Sequence, residues 1–109
     1  QTYSNLRMTT TLEQSSFEPG ATLALRAVLT EYGLPVERRA RVEVELTRPG
    51  GAVLIVPMAE TEPGTFEATT LATYAGIYRA RIMASGVTLR GAPFTREETL
   101  TAAVWKGGD

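Results

Sequence analysis

Hydrophobic and polar residues alternate along most of this chain. Leu6, Met8, Thr10 and Leu12 fall on every second position, and so do Leu23, Leu25, Ala27 and Leu29. Val42, Val44 and Leu46 are separated by Glu43 and Glu45, the clearest half-buried pattern of all. A period of two puts one set of side chains on one face of a pleated strand and the other set on the opposite face. Residues 65–71 alternate around Phe66 and Ala68. Residues 77–84 bring Tyr78, Ala80, Ile82 and Ala84 together, and residues 97–105 do the same for Leu100, Ala102 and Val104. Residues 52–56 form a continuous apolar run of strand length. Residues 36–46 look helical at first sight, but their Val-Glu alternation keeps to period two.

Proline and glycine punctuate these strands. Pro-Gly pairs stand at Pro19, Pro49 and Pro63. Proline presets φ at the second position of a turn, and glycine accepts the positive φ that a type II turn needs at the third. Softer breaks fall at residues 32–35 (YGLP) and 91–94 (GAPF). Seven short strands with turns every 8–12 residues predict an all-β, seven-stranded Greek-key β-sandwich. No internal repeat interrupts it. One domain covers residues 1–109, with a core from about residue 5 to 105.

The stretch YAGIYRA, residues 74–80, carries a resemblance. Strand F of immunoglobulin-type domains opens with Asp-x-Gly/Ala-x-Tyr-x-Cys. Here Tyr74 stands at the aspartate, Gly76 at the small residue, Tyr78 at the tyrosine and Ala80 at the cysteine. The resemblance implies that the Tyr78 ring packs into the end of a sandwich and that its hydroxyl satisfies a backbone group at the preceding turn. Ala80 excludes the disulfide, and no tryptophan lies on the expected strand C. The chain therefore resembles the cysteine-free bacterial Ig-like and macroglobulin-like modules rather than antibody domains. Residues 17–51 resemble the opening of such modules. Residues 75–86 and 91–104 resemble the β-sandwich segment appended to some von Willebrand factor type A proteins. The resemblance implies an immunoglobulin-like fold and a modular, extracytoplasmic setting, secreted, periplasmic or at a bacterial cell surface. It carries over no catalytic residue.

Composition narrows the chemistry. The 109 residues include no cysteine and no histidine. Disulfides, thiolate nucleophiles and cysteine zinc sites are excluded, and the commonest general base and metal ligand are missing. Eleven basic residues against twelve acidic ones leave a net charge of −1. This gives no basic surface for nucleic acid and no polybasic segment for a membrane. No apolar run approaches the roughly 20 residues that span a bilayer. Hydrophobic residues make up 43% of the chain, enough for a core without a metal or a staple. A start at Gln1 without a leader and an ending in KGGD suggest a piece of a longer chain.

Several residues invite functional readings. Glu60, Glu62 and Glu67 offer carboxylates for calcium, but that ion wants six to eight oxygens, and the one aspartate is Asp109. Solvated turn charges are the better expectation. Glu43 and Glu45 share a strand face and could form a glycosidase pair, yet neither a cleft nor a sugar-stacking aromatic is expected around them, and a solvated sheet face is the better expectation. If Val104 points inward, Trp105 points outward, where it either covers the open end of the core or offers a stacking surface. Residues 89–98 (LRGAPFTREE) read as a long connecting loop suited to recognition, with Phe94 either exposed in it or tucked under the sandwich.

The sequence thus points to a non-enzymatic structural or protein-interaction module of a larger, extracytoplasmic protein. Its partners would be neighbouring domains or another protein, with no catalytic residue, metal or cofactor. The expected contact residues are Tyr32, Leu34, Arg90, Phe94 and Trp105. The alternative is a small-ligand, carbohydrate-binding module that stacks sugar on Trp105 or Tyr32. Charges on strands C and F are expected to pair as Glu43 with Arg81 and Glu45 with Arg79, up to a slip of two residues.

Overall fold

The structure, a computed structural model, describes residues 5–106. The linker expected at Gly107 to Asp109 lies outside them. The described chain contains eight strands and no helix: β1 (Leu6–Gln14), β2 (Ala21–Glu31), β3 (Leu34–Pro35), β4 (Ala40–Thr47), β5 (Val53–Glu62), β6 (Thr65–Ala72), β7 (Gly76–Val87) and β8 (Pro93–Val104). Seven strands were expected. The eighth, β3, is a two-residue strand against the end of β2, too short to show an alternation.

All pairings are antiparallel, in the order β1-β2-β6-β5-β4-β7-β8. Strand β5 belongs to two ladders. Residues 53–58 pair with β4, and residues 59–62 pair with β6 across a register shift between Glu60 and Glu62. One ladder is therefore β1-β2-β6 and the other β4-β7-β8, with β5 passing from the second to the first. Strands β4 and β7, the expected strands C and F, lie side by side.

Side chains from both ladders make one core. Leu23, Leu25, Ala27 and Leu29 of β2 are buried, as are Val42, Val44 and Leu46 of β4 and Tyr78, Ala80, Ile82 and Ala84 of β7. These are the inward sets that the alternation predicts. The three Pro-Gly turns also form as predicted, with positive φ at Gly20, Gly50 and Gly64.

Strand ends depart from expectation at two prolines. β5 runs past Pro57 instead of stopping at Val56, and β8 begins at Pro93, not near Glu97. The Arg48 N–H donates to the Ala52 carbonyl and the Thr88 N–H to the Ala92 carbonyl. Counting in twos along each ladder then places Pro57 opposite Glu43, and Pro93 opposite Val87, in pairs that exchange no hydrogen bonds. The missing proline N–H costs the ladder nothing. The expected ten-residue recognition loop accordingly shrinks to a tight turn over residues 88–92.

The charge ladder takes the slipped register. Glu45 faces Arg81, Glu43 faces Met83, and Arg79 faces Thr47. Arg81 bridges Glu45 at 3.1 Å and Glu97 of β8 at 2.8 Å.

Candidate functional site

The turn between β2 and β3 places Tyr32 and Gly33 at φ of +53° and +79°. Two successive left-handed residues are the mark of a type I′ hairpin, normally filled by Asn-Gly. Tyrosine is a costly choice for the first position, since its Cβ crowds the neighbouring carbonyl. Its ring is 65% exposed.

Glu31, the residue before this turn, is the unusual member of the β2 inward set. It continues the series Leu25, Ala27, Leu29, and only 8% of its side chain is exposed. Its carboxylate accepts from the Leu89 N–H at 3.0 Å and from Arg39 Nη1 at 3.0 Å. Arg39 Nη1 also donates to the Val87 carbonyl at 2.6 Å. A buried carboxylate is tolerable when it is paired and hydrogen-bonded in this way. Through it, the turn after β2, the bend leading into β4 and the turn between β7 and β8 are braced together.

Between these turns lies a cleft of about 710 Å³. Tyr32, Leu89 and Arg90 line it together with Phe94, which is 8% exposed. Glu31 is spoken for by Arg39 and Leu89. Arg96, also in the lining, donates to the Leu6 and Thr95 carbonyls. Arg90 is exposed at the turn, with no ion pair among the described residues. The cleft thus combines an aromatic wall, an apolar floor and guanidinium groups, a combination suited to a peptide segment carrying an apolar and an acidic side chain.

The fold brings together three of the five expected contact residues, Tyr32, Arg90 and Phe94. Phe94 tucks under as the floor and is not an exposed contact. Leu34 is 61% exposed but stands outside the lining. Trp105 lies at the far end of the strands, where it stacks on Phe17 with ring centroids 5.3 Å apart and planes 14° from parallel. The Trp105 backbone N–H donates to the Phe17 carbonyl at 3.0 Å. Both rings are more than half exposed, so Trp105 points outward and does not cap the core. Leu89 belongs to the loop expected for recognition, whereas Glu31 and Arg39 were missed as site residues. The signal for Glu31 was present, a charge at the next inward position of a buried strand. Nothing in the sequence marked Phe17.

Two of the other acidic candidates, Glu60 and Glu67, have structural partners. Glu60 accepts from the N–H groups of Arg38 and Gly64, which fixes the β5–β6 hairpin, and Glu67 lies 3.6 Å from Arg26. No group of three or more potential metal ligands occurs among the described residues. A second depression, about 720 Å³, lies over Glu43, Met83 and Glu97 on the polar face. Glu97 titrates below the usual carboxylate range because it accepts a hydrogen bond from Arg81 and feels its charge. No helix of the described residues is long and apolar enough to cross a membrane. Comparison with family models, curated proteins and solved structures finds no match.

Proposed function

We propose that this chain is a non-enzymatic protein-interaction module of a larger, extracytoplasmic protein, holding its partner in the cleft lined by Glu31, Tyr32, Leu89, Arg90 and Phe94. The observation that carries the proposal is Tyr32. A bulky aromatic occupies a left-handed turn position that asparagine or glycine would fill at lower cost, and its ring stands over a braced cleft. Backbone strain of this kind persists where the side chain is wanted for something other than the turn. The cleft lies on turns at one end of rigid ladders, the arrangement in which binding residues are commonly presented. The immunoglobulin-like pattern around Tyr78 and the adjacency of β4 and β7 support a modular setting of the bacterial surface kind.

Panning the protein against a random-peptide display library tests this, with Tyr32→Ala and Arg90→Ala as counter-selections. Peptides enriched on the native protein and released by either substitution are expected. Enrichment indifferent to both would move the contact elsewhere.

The stacked rings of Phe17 and Trp105 favour a second reading, a carbohydrate-binding surface at the opposite end. A glycan array decides for it if retention is lost in Trp105→Ala and kept in Tyr32→Ala.

A further inference from the structure

The first half of β5 is an open edge. Residues 53–58 pair with β4 on one side and, among the described residues, with no strand on the other. Val53, Leu54 and Ile55 are 54%, 40% and 49% exposed, and Val56 is half-buried. Such edges invite another chain and are normally blunted by charge or cover. The other open pair of edges, on β1 and β8, is covered in that way. Arg96 reaches the Leu6 carbonyl, Thr10 donates to Glu98, and Gln14 donates to the Ala103 carbonyl. Among the described residues the β5 edge has no comparable cover, and no charged residue occurs from Pro49 to Ala59.

Hydrogen-bond parity says which backbone groups are available. Arg48 and Ala52 form a bonded pair, so Leu46 with Leu54 and Val44 with Val56 do also. The N–H and C=O groups of Val53 and Ile55 therefore point away from β4, to the open side. Pro57 is the next outward position and presents a carbonyl without an N–H, so it ends the run of donors.

We infer that this edge joins a second copy of the same chain, antiparallel, across a two-fold axis at Ile55. That register is self-complementary. Ile55 exchanges both hydrogen bonds with Ile55 of the second copy, and each Val53 N–H donates to a Pro57 carbonyl, so every outward donor is used. Leu54 falls opposite Val56 of the second copy, apolar against apolar. The charges also favour this arrangement. Arg48 flanks one end of the edge and Glu60 and Glu62 the other, so antiparallel pairing brings unlike charges towards each other and parallel pairing brings like ones. Glu45, beside Ile55, is already neutralised by Arg81. The two copies of Glu45 would stand three strand spacings apart, about 14 Å, beyond the screening length at physiological salt.

A ladder this short falls well below a standard interface of about 1,600 Å², so association is weak and concentration-dependent. Sedimentation velocity from about 10 μM to about 1 mM, spanning the range of weak complexes, reads it directly. The native protein is expected to shift from monomer towards dimer. Amide NMR shifts that change on dilution are expected at Val53, Leu54, Ile55 and Val56. Ile55→Pro removes the outward N–H without touching the β4 ladder, because Ile55 and Glu45 exchange no bonds there. It is expected to fold and to weaken association by about tenfold or more. Val53→Lys, a charge on the same edge, is expected to do likewise, and it decides the matter if the proline variant does not fold. A native protein monomeric throughout, association unchanged in the variants, or dilution shifts centred on Phe17 and Trp105 would each overturn the inference.

Discussion

The Tyr78 hydroxyl donates to the Tyr74 carbonyl at 2.6 Å and accepts from the Tyr74 N–H at 2.9 Å. One side chain thereby satisfies both backbone groups of a single residue, four positions upstream, at the turn that leads into β7. The Tyr78 ring itself is fully buried. Tyr78→Phe keeps the ring and strands both backbone groups, so it should cost about 1–3 kcal/mol. A urea midpoint unchanged from the native value would show that the hydroxyl contributes nothing.

Glu31 and Arg39 form the ion pair with the least exposed carboxylate, with 8% of the Glu31 side chain and 21% of the Arg39 side chain accessible. Glu31→Ala leaves the Leu89 N–H without its acceptor and the Arg39 guanidinium with the Val87 carbonyl in place of its ion pair. The expected loss is roughly 2–3 kcal/mol, at the lower end for a broken buried pair because Arg39 keeps some water. Hydrogen exchange at Leu89 should accelerate beyond what the global destabilisation explains.

Tyr32 should behave in the opposite sense. Tyr32→Asn replaces a residue strained at φ +53° with one that tolerates that conformation. Stability should rise by about 1 kcal/mol, while any peptide selected on the cleft loses affinity. A destabilised asparagine variant would mean that the ring is needed for folding and would remove the main support for the proposed contact.

Glu97 gives the acid limb a definite sign. The hydrogen bond from Arg81, and then its charge, hold the folded carboxyl below its ordinary value, and the same contacts raise the Arg81 pKa. The stabilisation is therefore complete above the ordinary glutamate range and is lost as pH falls through the lowered folded value. Carboxyl NMR titration should find Glu97 below the ordinary range in the native protein and back towards it in Arg81→Met. Added salt should shrink the displacement, since both side chains are exposed.

Gly86 is where β4 and β7 come too close for a side chain. A methyl group there would be driven into the Arg39 carbonyl and would lie 2.8 Å from the Ala40 Cα. Both obstacles are backbone, so neither can swing aside. Gly86→Ala should cost about 1–3 kcal/mol or more and disturb the Arg39 to Val87 hydrogen bond. A melting temperature equal to the native one would show that the strands can separate there freely.

The inward and outward sets of β2, β4 and β7 were legible in the sequence because strand side chains alternate locally. Burying Val42, Val44 and Leu46 needs no knowledge of what they face. The Pro-Gly turns and the Tyr78 corner were legible for a similar reason, since φ preferences and a four-residue hydrogen bond act at short range. The register was different. A slip of one residue would bury Glu43 and Glu45, so the alternation forbids it, but a slip of two preserves both faces. Only the assembled ladders set Glu45 against Arg81 and left Glu43 facing Met83. The same limit hid the extents of β5 and β8, because whether Pro57 and Pro93 break a strand depends on which side of a ladder their nitrogens face. It also hid the stacking of Phe17 on Trp105 and the bracing of Leu89 by Glu31. Those contacts join residues far apart in the chain, and no local preference of either partner records where the other will be.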